Sequence, residues 1–274
     1  MTASTTAPAS LAIPPLFVSH GAPLFALDAG ETGPALTRWG QELRARFPGL
    51  RGVVVMSPHW MARGVRVMAA ERPATWHDFG GFPPELYALQ YPAPGEPALA
   101  QEVLALLQAA GVPAQADAQR PFDHGAWVPL MHLFPQADVP VVQVALPVGA
   151  GPAEVHALGA ALRGLGRQGV LVVGTGSMTH NLGEFFGGAR EPAPYVLEFS
   201  RWIESALRRG DLPALLDYRA QAPHAERAHP TEDHFLPLFF ALGAAGEGAQ
   251  PHYLSREVMY GMLAMDAFAL PHAA

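Results

Sequence analysis

The 274 residues carry a formal charge of −7, twelve histidines, no cysteine and, among 17 basic residues, no lysine. The missing thiols exclude disulfides, thiolate nucleophiles and Cys-type zinc sites, and the missing amines exclude Schiff-base catalysis and a Walker-type phosphate loop. The arginines are scattered and no apolar run reaches the ~18 residues of a membrane span, so the composition predicts a cytoplasmic protein that handles a small molecule, with neither nucleic acid nor membrane as partner.

Residues 1–15, MTASTTAPASLAIPP, have neither a basic start nor a long apolar segment, and they are predicted to be a disordered N-terminal extension of one domain spanning 16–274. Along the chain, short runs rich in Val, Leu and Ile alternate with segments of helical period. Strands are predicted at 11–19 (LAIPPLFVS), 52–57 (GVVVMS), 65–70 (VRVMAA), 140–147 (PVVQVALP) and 169–176 (GVLVVGTG), with 251–258 and 261–270 as added edge strands. Helices are predicted at 34–47, 95–111, 153–166 and 194–210. In the second of these Leu99, Val103, Leu106, Leu107 and Ala110 share a face before Gly111. This alternation predicts an α/β fold: a single domain with a mainly parallel central sheet flanked by helices and a ligand site at the strand C-terminal ends. Residues 76–97, with Gly80-Gly81, Pro83-Pro84 and Pro92, break the pattern and are predicted to form a rim or lid.

Three predicted strands end in histidine: SH at His20, SPH at His59 and GSMTH at His180. Each imidazole follows a small polar residue or a turn-former and is positioned to project into the crevice that open α/β sheets leave beyond their strand ends. In HPTEDHFLPLFF, Thr231 is a predicted helix N-cap with Glu232, Asp233 and His234 in the first turn. In RPFDHGAWVPLMHLFP, Asp123 is the predicted N-cap, His124 opens the helix, and Trp127, Leu130, Met131 and Phe134 form its apolar stripe, with His132 in a structural role. His156, His224, His252 and His272 carry no pattern.

Three neutral imidazoles around a divalent ion suit zinc hydrolysis and non-haem iron chemistry alike, and Glu232 or Asp233 is an alternative to His234 as the third ligand. The glycines of GVLVVGTGSMTH fit neither the dinucleotide fingerprint, since Thr179 stands at its third glycine, nor a nucleophile elbow. They are read as a tight turn that brings His180 close to the metal.

Six blocks in order, PLFVSHGAP, VVVMSPHW, WHDFGGFPPELYALQYPAPG, DHGAWVPLMHLFP, VVGTGSMTHNL and HPTEDHFLPLFFALGAA, resemble the class III extradiol ring-cleavage dioxygenases, most closely those of the DOPA 4,5-dioxygenase type. The resemblance implies a non-haem metal on His20, His59 and His234, with Fe(II) for activity and Zn(II) as the other ion such a site holds. It implies His180 beside the metal as a catalytic residue or further ligand, and His124 as a second acid–base residue over the substrate. The expected reaction joins a catechol and O2 to give a muconic semialdehyde, with His180, of ordinary pKa near ~6.5, accepting a hydroxyl proton. His234 stands where the protocatechuate-cleaving branch has a carboxylate. Candidate contacts to the rest of the substrate are His77, Asp78, Phe82 and Tyr91 in the 76–97 loop and Arg120 beside His124. The competing readings are a zinc hydrolase using the same histidines and a non-enzymatic metal-binding interaction protein on the same fold.

Overall fold

Val53, Val54, Val55 and Met56 are all fully buried, because the strand they form is covered on both faces and β-branched side chains fit such a pleated surface. The protein, described here by a computed structural model over residues 12–185 and 191–271, is organised around that strand. Val54 and Met56 face a core shared with helices Pro97–Ala109, Pro152–Ala161, Pro194–Arg209 and Pro237–Ala245. Val53 and Val55 face a second core, closed by helices Thr32–Arg46 and His124–Leu133.

The strands are β1 (Leu16–Ser19), β2 (Gly52–Ala62), β3 (Val65–Met68), β4 (Ala114–Asp117), β5 (Val141–Pro147), β6 (Val170–Gly176), β7 (His252–Ser255), β8 (Val258–Met259), β9 (Leu263–Ala264) and β10 (Ala267–Ala269). Eight of them form one sheet in the order β4-β3-β5-β2-β6-β1-β10-β7, and β8 pairs with β9 alone. The central run β5-β2-β6-β1 is parallel throughout. The two late apolar tracts contribute β7 and β10, which extend the sheet antiparallel beyond β1, in keeping with their expected edge position.

Several local expectations are corrected. Residues 12–15 are not a loose extension: Ile13 is buried and its N–H donates to Gly166 O at 3.0 Å, while residues 1–11 lie outside the described residues. β2 does not stop at Ser57-Pro58. It runs on to Ala62, with an irregularity against β5 between Ser57 and Met61 that absorbs the proline, so His59 sits inside a bulged strand and not after one. β4 has no apolar run to announce it and adds to the sheet only through its parallel pairing with β3. The 153–166 stretch splits into the helix Pro152–Ala161 and a 3-10 segment, Arg163–Gln168. In the Pro97–Ala109 helix Leu99, Ala100, Val103 and Leu107 are buried, whereas Ala110 is exposed. The 76–97 segment is irregular except for one short helix, Pro84–Ala88. Thr231 caps no helix. Residues 231–236 form turns in which the N–H groups of Phe235 and Leu236 donate to Glu232 O at 2.9 and 3.1 Å, and the helix starts at Pro237, whose missing donor costs nothing at a first helical position.

The glycines of VVGTG are likewise not a turn, since both lie within β6. A Cβ on Gly174 would stand 1.9 Å from Pro237 O, and one on Gly176 2.1 Å from His234 O. The missing side chains let the 234–237 backbone lie directly against the strand, where Ser177 N–H donates to His234 O at 2.8 Å.

Two predictions follow from this packing. Gly174→Ala drives a methyl into a backbone carbonyl that no rotamer change relieves, and it should lower unfolding stability in urea by about 1–3 kcal/mol. Asp266, 5% exposed, has its carboxyl pushed up to about 7 by burial, against the pull of Arg256. Its unfolded carboxyl ionises near ~3.9, so between that pH and 7 the native state holds the extra proton and this group's contribution to stability falls as pH rises. Asp266→Asn removes the titration, and its stability relative to the parent should be higher at pH 8 than at pH 5 by on the order of 1–3 kcal/mol, measured by urea melts at the two pH values.

Candidate active site

β2, β6 and β1 are adjacent and parallel, so their C-terminal ends open on one edge of the sheet. His20 follows β1, His59 lies in the bulge of β2, and His180 is four residues past β6. His234 comes from the turn that Gly174 and Gly176 admit against β6, and His124 is the first residue of its helix, whose N-cap Asp123 accepts from Ala126 N–H at 3.2 Å. The structure therefore brings together all five histidines singled out by spacing and resemblance.

Their nitrogen atoms converge. His59 Nε2 lies 3.1 Å from His20 Nε2 and 3.3 Å from His234 Nε2. The donor atoms of His20, His59 and His124 also fall within 4.8 Å of one another. His124 meets His59 ring on ring, with centroids 3.9 Å apart, and His180 stacks on His234 at 3.5 Å with the rings 5° from parallel.

The opposite ring nitrogens define the protonation pattern. Thr175 spends its hydroxyl proton on Gly125 O at 2.7 Å, so it can only accept from His20 Nδ1 at 2.9 Å, which leaves the His20 Nε2 lone pair bare. Asp233 Oδ2 accepts from His234 Nδ1 at 2.6 Å, and Asp78 Oδ1 accepts from both His124 Nδ1 at 3.0 Å and His124 N–H at 2.9 Å. Burial alone would raise the Asp233 and Asp78 carboxyls, but the hydrogen bonds and charges of His234 and His124 outweigh it and hold both below the usual range. Burial, reinforced by neighbouring imidazoles, pushes His59 and His180 down to about 4 and His20 and His234 well below their ordinary value. These rings are neutral at pH 7.

Bare lone pairs on His20 and His234 thus face His59 Nε2, and a single proton there satisfies only one of them. Two nitrogens bound at ~2.1 Å to one tetrahedral or octahedral ion stand roughly 3.0–3.4 Å apart, and the observed 3.1 and 3.3 Å fall in that span. The donor set fits a divalent cation, neutral imidazole being a common ligand of such ions.

The supporting residues explain why the rings stay in place. Asp123 is fully buried and accepts from Ser57 Oγ at 2.8 Å, Gln143 Nε2 at 2.5 Å and Arg120 Nη2 at 2.8 Å. Ser57 Oγ in turn receives His59 N–H at 3.2 Å. Gly125 leaves no room for a side chain, since a Cβ would come within 2.3 Å of Ser57 Oγ and 2.8 Å of His59 Cδ2. On the far side, His229 is fully buried, meets Met178 O at 2.8 Å, and is pushed down to about 3 chiefly by burial, while His180 N–H donates to Ala228 O at 2.8 Å. The 177–180 turn is pinned from both sides.

His59, His124, His180 and His234 form one end of a cavity of about 280 Å³ whose other walls include Ala22, Pro23, Phe79, Phe82, Leu182 and Phe185. Of the candidate substrate contacts, Phe82 lines it, and His77, Asp78, Tyr91 and Arg120 do not. Tyr91 is 2% exposed and donates to Phe134 O at 3.3 Å, because the loop buries this ring in the core beneath the rim. His77 Nε2 is engaged with Leu89 O at 3.0 Å inside the same loop. Arg120 is held between the rings of Trp60 and Trp76, 4.9 and 5.0 Å from their centroids, and donates to His59 O at 3.2 Å as well as to Asp123. Glu232 accepts from Tyr218 OH at 3.0 Å, and Asp233 accepts from His234 Nδ1, the ring nitrogen opposite the one that faces His59. His132 meets Phe25 O at 2.9 Å, in the structural role expected of it. His224 pairs with Glu198 at the surface, and His272 lies outside the described residues.

Thr175, Phe79, Leu182 and Phe185 are the site residues that neither spacing nor resemblance singled out. Asp78, an expected substrate contact, instead holds the ring and the backbone N–H of His124. Thr175 had no available signal, since its role depends on a carbonyl fifty residues away.

Comparison with known proteins agrees with this layout. The chain matches the family described as the catalytic LigB subunit of aromatic ring-opening dioxygenase over residues 15–266. It is 35% identical over 254 residues to the 4,5-DOPA dioxygenase extradiol of Beta vulgaris, covering 92% of this chain and 94% of that one. It is 36% identical over 250 residues to the protein of the same name from Escherichia coli K12, covering 88% of each. A crystal structure of an uncharacterized protein from Escherichia coli K12 has a TM-score of 0.78 and 30% identity, over 94% of this chain and 99% of that one. A buried set of imidazoles at parallel strand ends, on a chain that matches this family almost throughout, leads to one conclusion: the protein belongs to the LigB family of aromatic ring-opening dioxygenases.

Proposed function

We propose that the protein is an extradiol dioxygenase that opens the ring of a catechol with O2, both oxygen atoms entering a muconic semialdehyde product, and that His20, His59 and His234 hold a divalent iron. The observation that carries this reading is the pair of short Nε2 separations about His59, backed by partners that leave the lone pairs of His20 and His234 turned inward. His234 is preferred to His124 as the third ligand because its Nε2 lies 3.3 Å from His59 Nε2, with its Nδ1 committed to Asp233. Bound there, Fe(II) supplies the Lewis acidity that eases loss of diol protons and the electron path between an aromatic ring and O2.

The chain's own residues do the rest. Phe79 and Phe82, edge to face at 5.4 Å and 88°, offer flat surfaces to an aromatic ring and keep water from it. His180 is neutral at pH 7, more strongly so than its ordinary pKa implies, and so is ready to accept a hydroxyl proton. The Asp233 charge favours the imidazolium that results. His124 carries its proton on Nδ1, bound by Asp78, so its Nε2 is the atom that takes a proton from substrate and returns it to the departing oxygen. Asp78 acts as the positioning residue of that exchange, since it holds both the ring and the backbone N–H of His124.

Two measurements check this reading. Protein loaded with Fe(II) under anaerobic conditions and then exposed to air should consume one O2 per catechol, with a yellow product, in an oxygen electrode; no uptake with any catechol would overturn the proposal. Metal content and turnover should separate by residue: His234→Ala loses the ion, while His124→Ala and His180→Ala retain it and lose on the order of 10²–10⁴ in kcat. A His180→Ala enzyme of full activity removes that residue from the reaction.

A further inference from the structure

We infer that the site takes a catechol whose ring substituent is uncharged and apolar, Phe79, Phe82, Leu182 and Phe185 forming a seat for hydrocarbon. This rests on the catechol reading above and adds to it the chemistry of the part of the substrate that does not react.

The cavity is chemically two-ended. At its floor are the imidazoles, and Phe79 stands edge-on to His124 at 5.5 Å and 88°, marking where the diol end gives way to carbon. Above that line the described lining is aromatic or aliphatic. Phe79 is braced by Tyr87 at 5.4 Å and Phe185 by Tyr260 at 5.0 Å, so both rings are held as walls. Leu182 is 57% exposed, at the mouth, where a bound alkyl chain would cover it.

Charge points the same way. Arg120 is occupied by Asp123 and the two tryptophans, and at the rim Arg227 is bound to Glu184 through two contacts of 2.8 and 3.2 Å. The chain contains no lysine, and no arginine is among the described lining residues. Among the described lining residues a carboxylate would lose water without gaining a cation, whereas each methylene buried there is worth roughly fourfold in affinity.

The test compares 4-propylcatechol with 3-(3,4-dihydroxyphenyl)propanoate, which has the same reach but ends in a carboxylate, and with L-DOPA. With the Fe(II)-loaded enzyme, kcat/KM for 4-propylcatechol should exceed both others by at least about tenfold, the difference lying mainly in KM. In metal-free protein, quenching of tryptophan fluorescence should saturate at lower 4-propylcatechol than propanoate concentration. Leu182→Arg, at an exposed position that tolerates the change, should narrow the kcat/KM ratio at least about fivefold by supplying the missing cation. Equal or higher kcat/KM or affinity for the carboxylates in the parent enzyme, or an unchanged ratio in Leu182→Arg, overturns the inference and leaves ring cleavage standing. No O2 uptake with any of the three compounds overturns the proposed function and this inference with it.

Discussion

The site depends on the electrostatic tension among buried imidazoles whose lone pairs face one another. His20 and His234 each have one nitrogen committed to a partner that can only accept, and the other turned toward His59. Protonation of these rings is opposed by burial and by the neighbouring imidazoles, which together outweigh the nearby carboxylates. Such a cluster is costly to fold and is stabilised by a cation at its centre, which links the chemistry of the site to its binding of metal.

Everything around the cluster restricts where those rings can go. Gly125 removes a side chain where Ser57, His59 and His20 converge, and Gly174 and Gly176 remove two more where the turn carrying His234 lies against β6. Asp123 is both the cap of the His124 helix and, through Ser57, an anchor of the bulge bearing His59. Arg120, locked to Asp123 and to His59 O, completes that link. The 76–97 loop contributes through Asp78 and Phe79, so the segment that walls the cavity also orients the histidine above it.

The cavity divides into a polar floor and an apolar mouth. A floor of neutral nitrogens suits a diol, and walls of phenyl rings suit the aromatic ring that bears it. The carboxylates that tune the histidines stand outside the cavity, so they set protonation without presenting charge to a bound ring.

By itself the sequence determined the elements and the reactive inventory. The valine-rich runs could only be covered strands, the absence of cysteine and lysine left imidazole as the reactive group, and histidines soon after three such runs marked one edge of the sheet, because strand periodicity and burial are local properties of a chain. Only the tertiary structure decided which nitrogen of each ring faces inward, since Thr175, Asp78, Asp233 and the Gly125 carbonyl approach from distant parts of the chain or by side-chain orientation. It alone showed that the glycines of β6 make room for a neighbouring backbone instead of turning the chain, because close approach is a property of two segments and is written in neither. It also withdrew Tyr91 and Arg120 from the cavity, the first into the core and the second between two indoles, because a side chain of either kind reads the same in sequence whether it faces a ligand or its own protein.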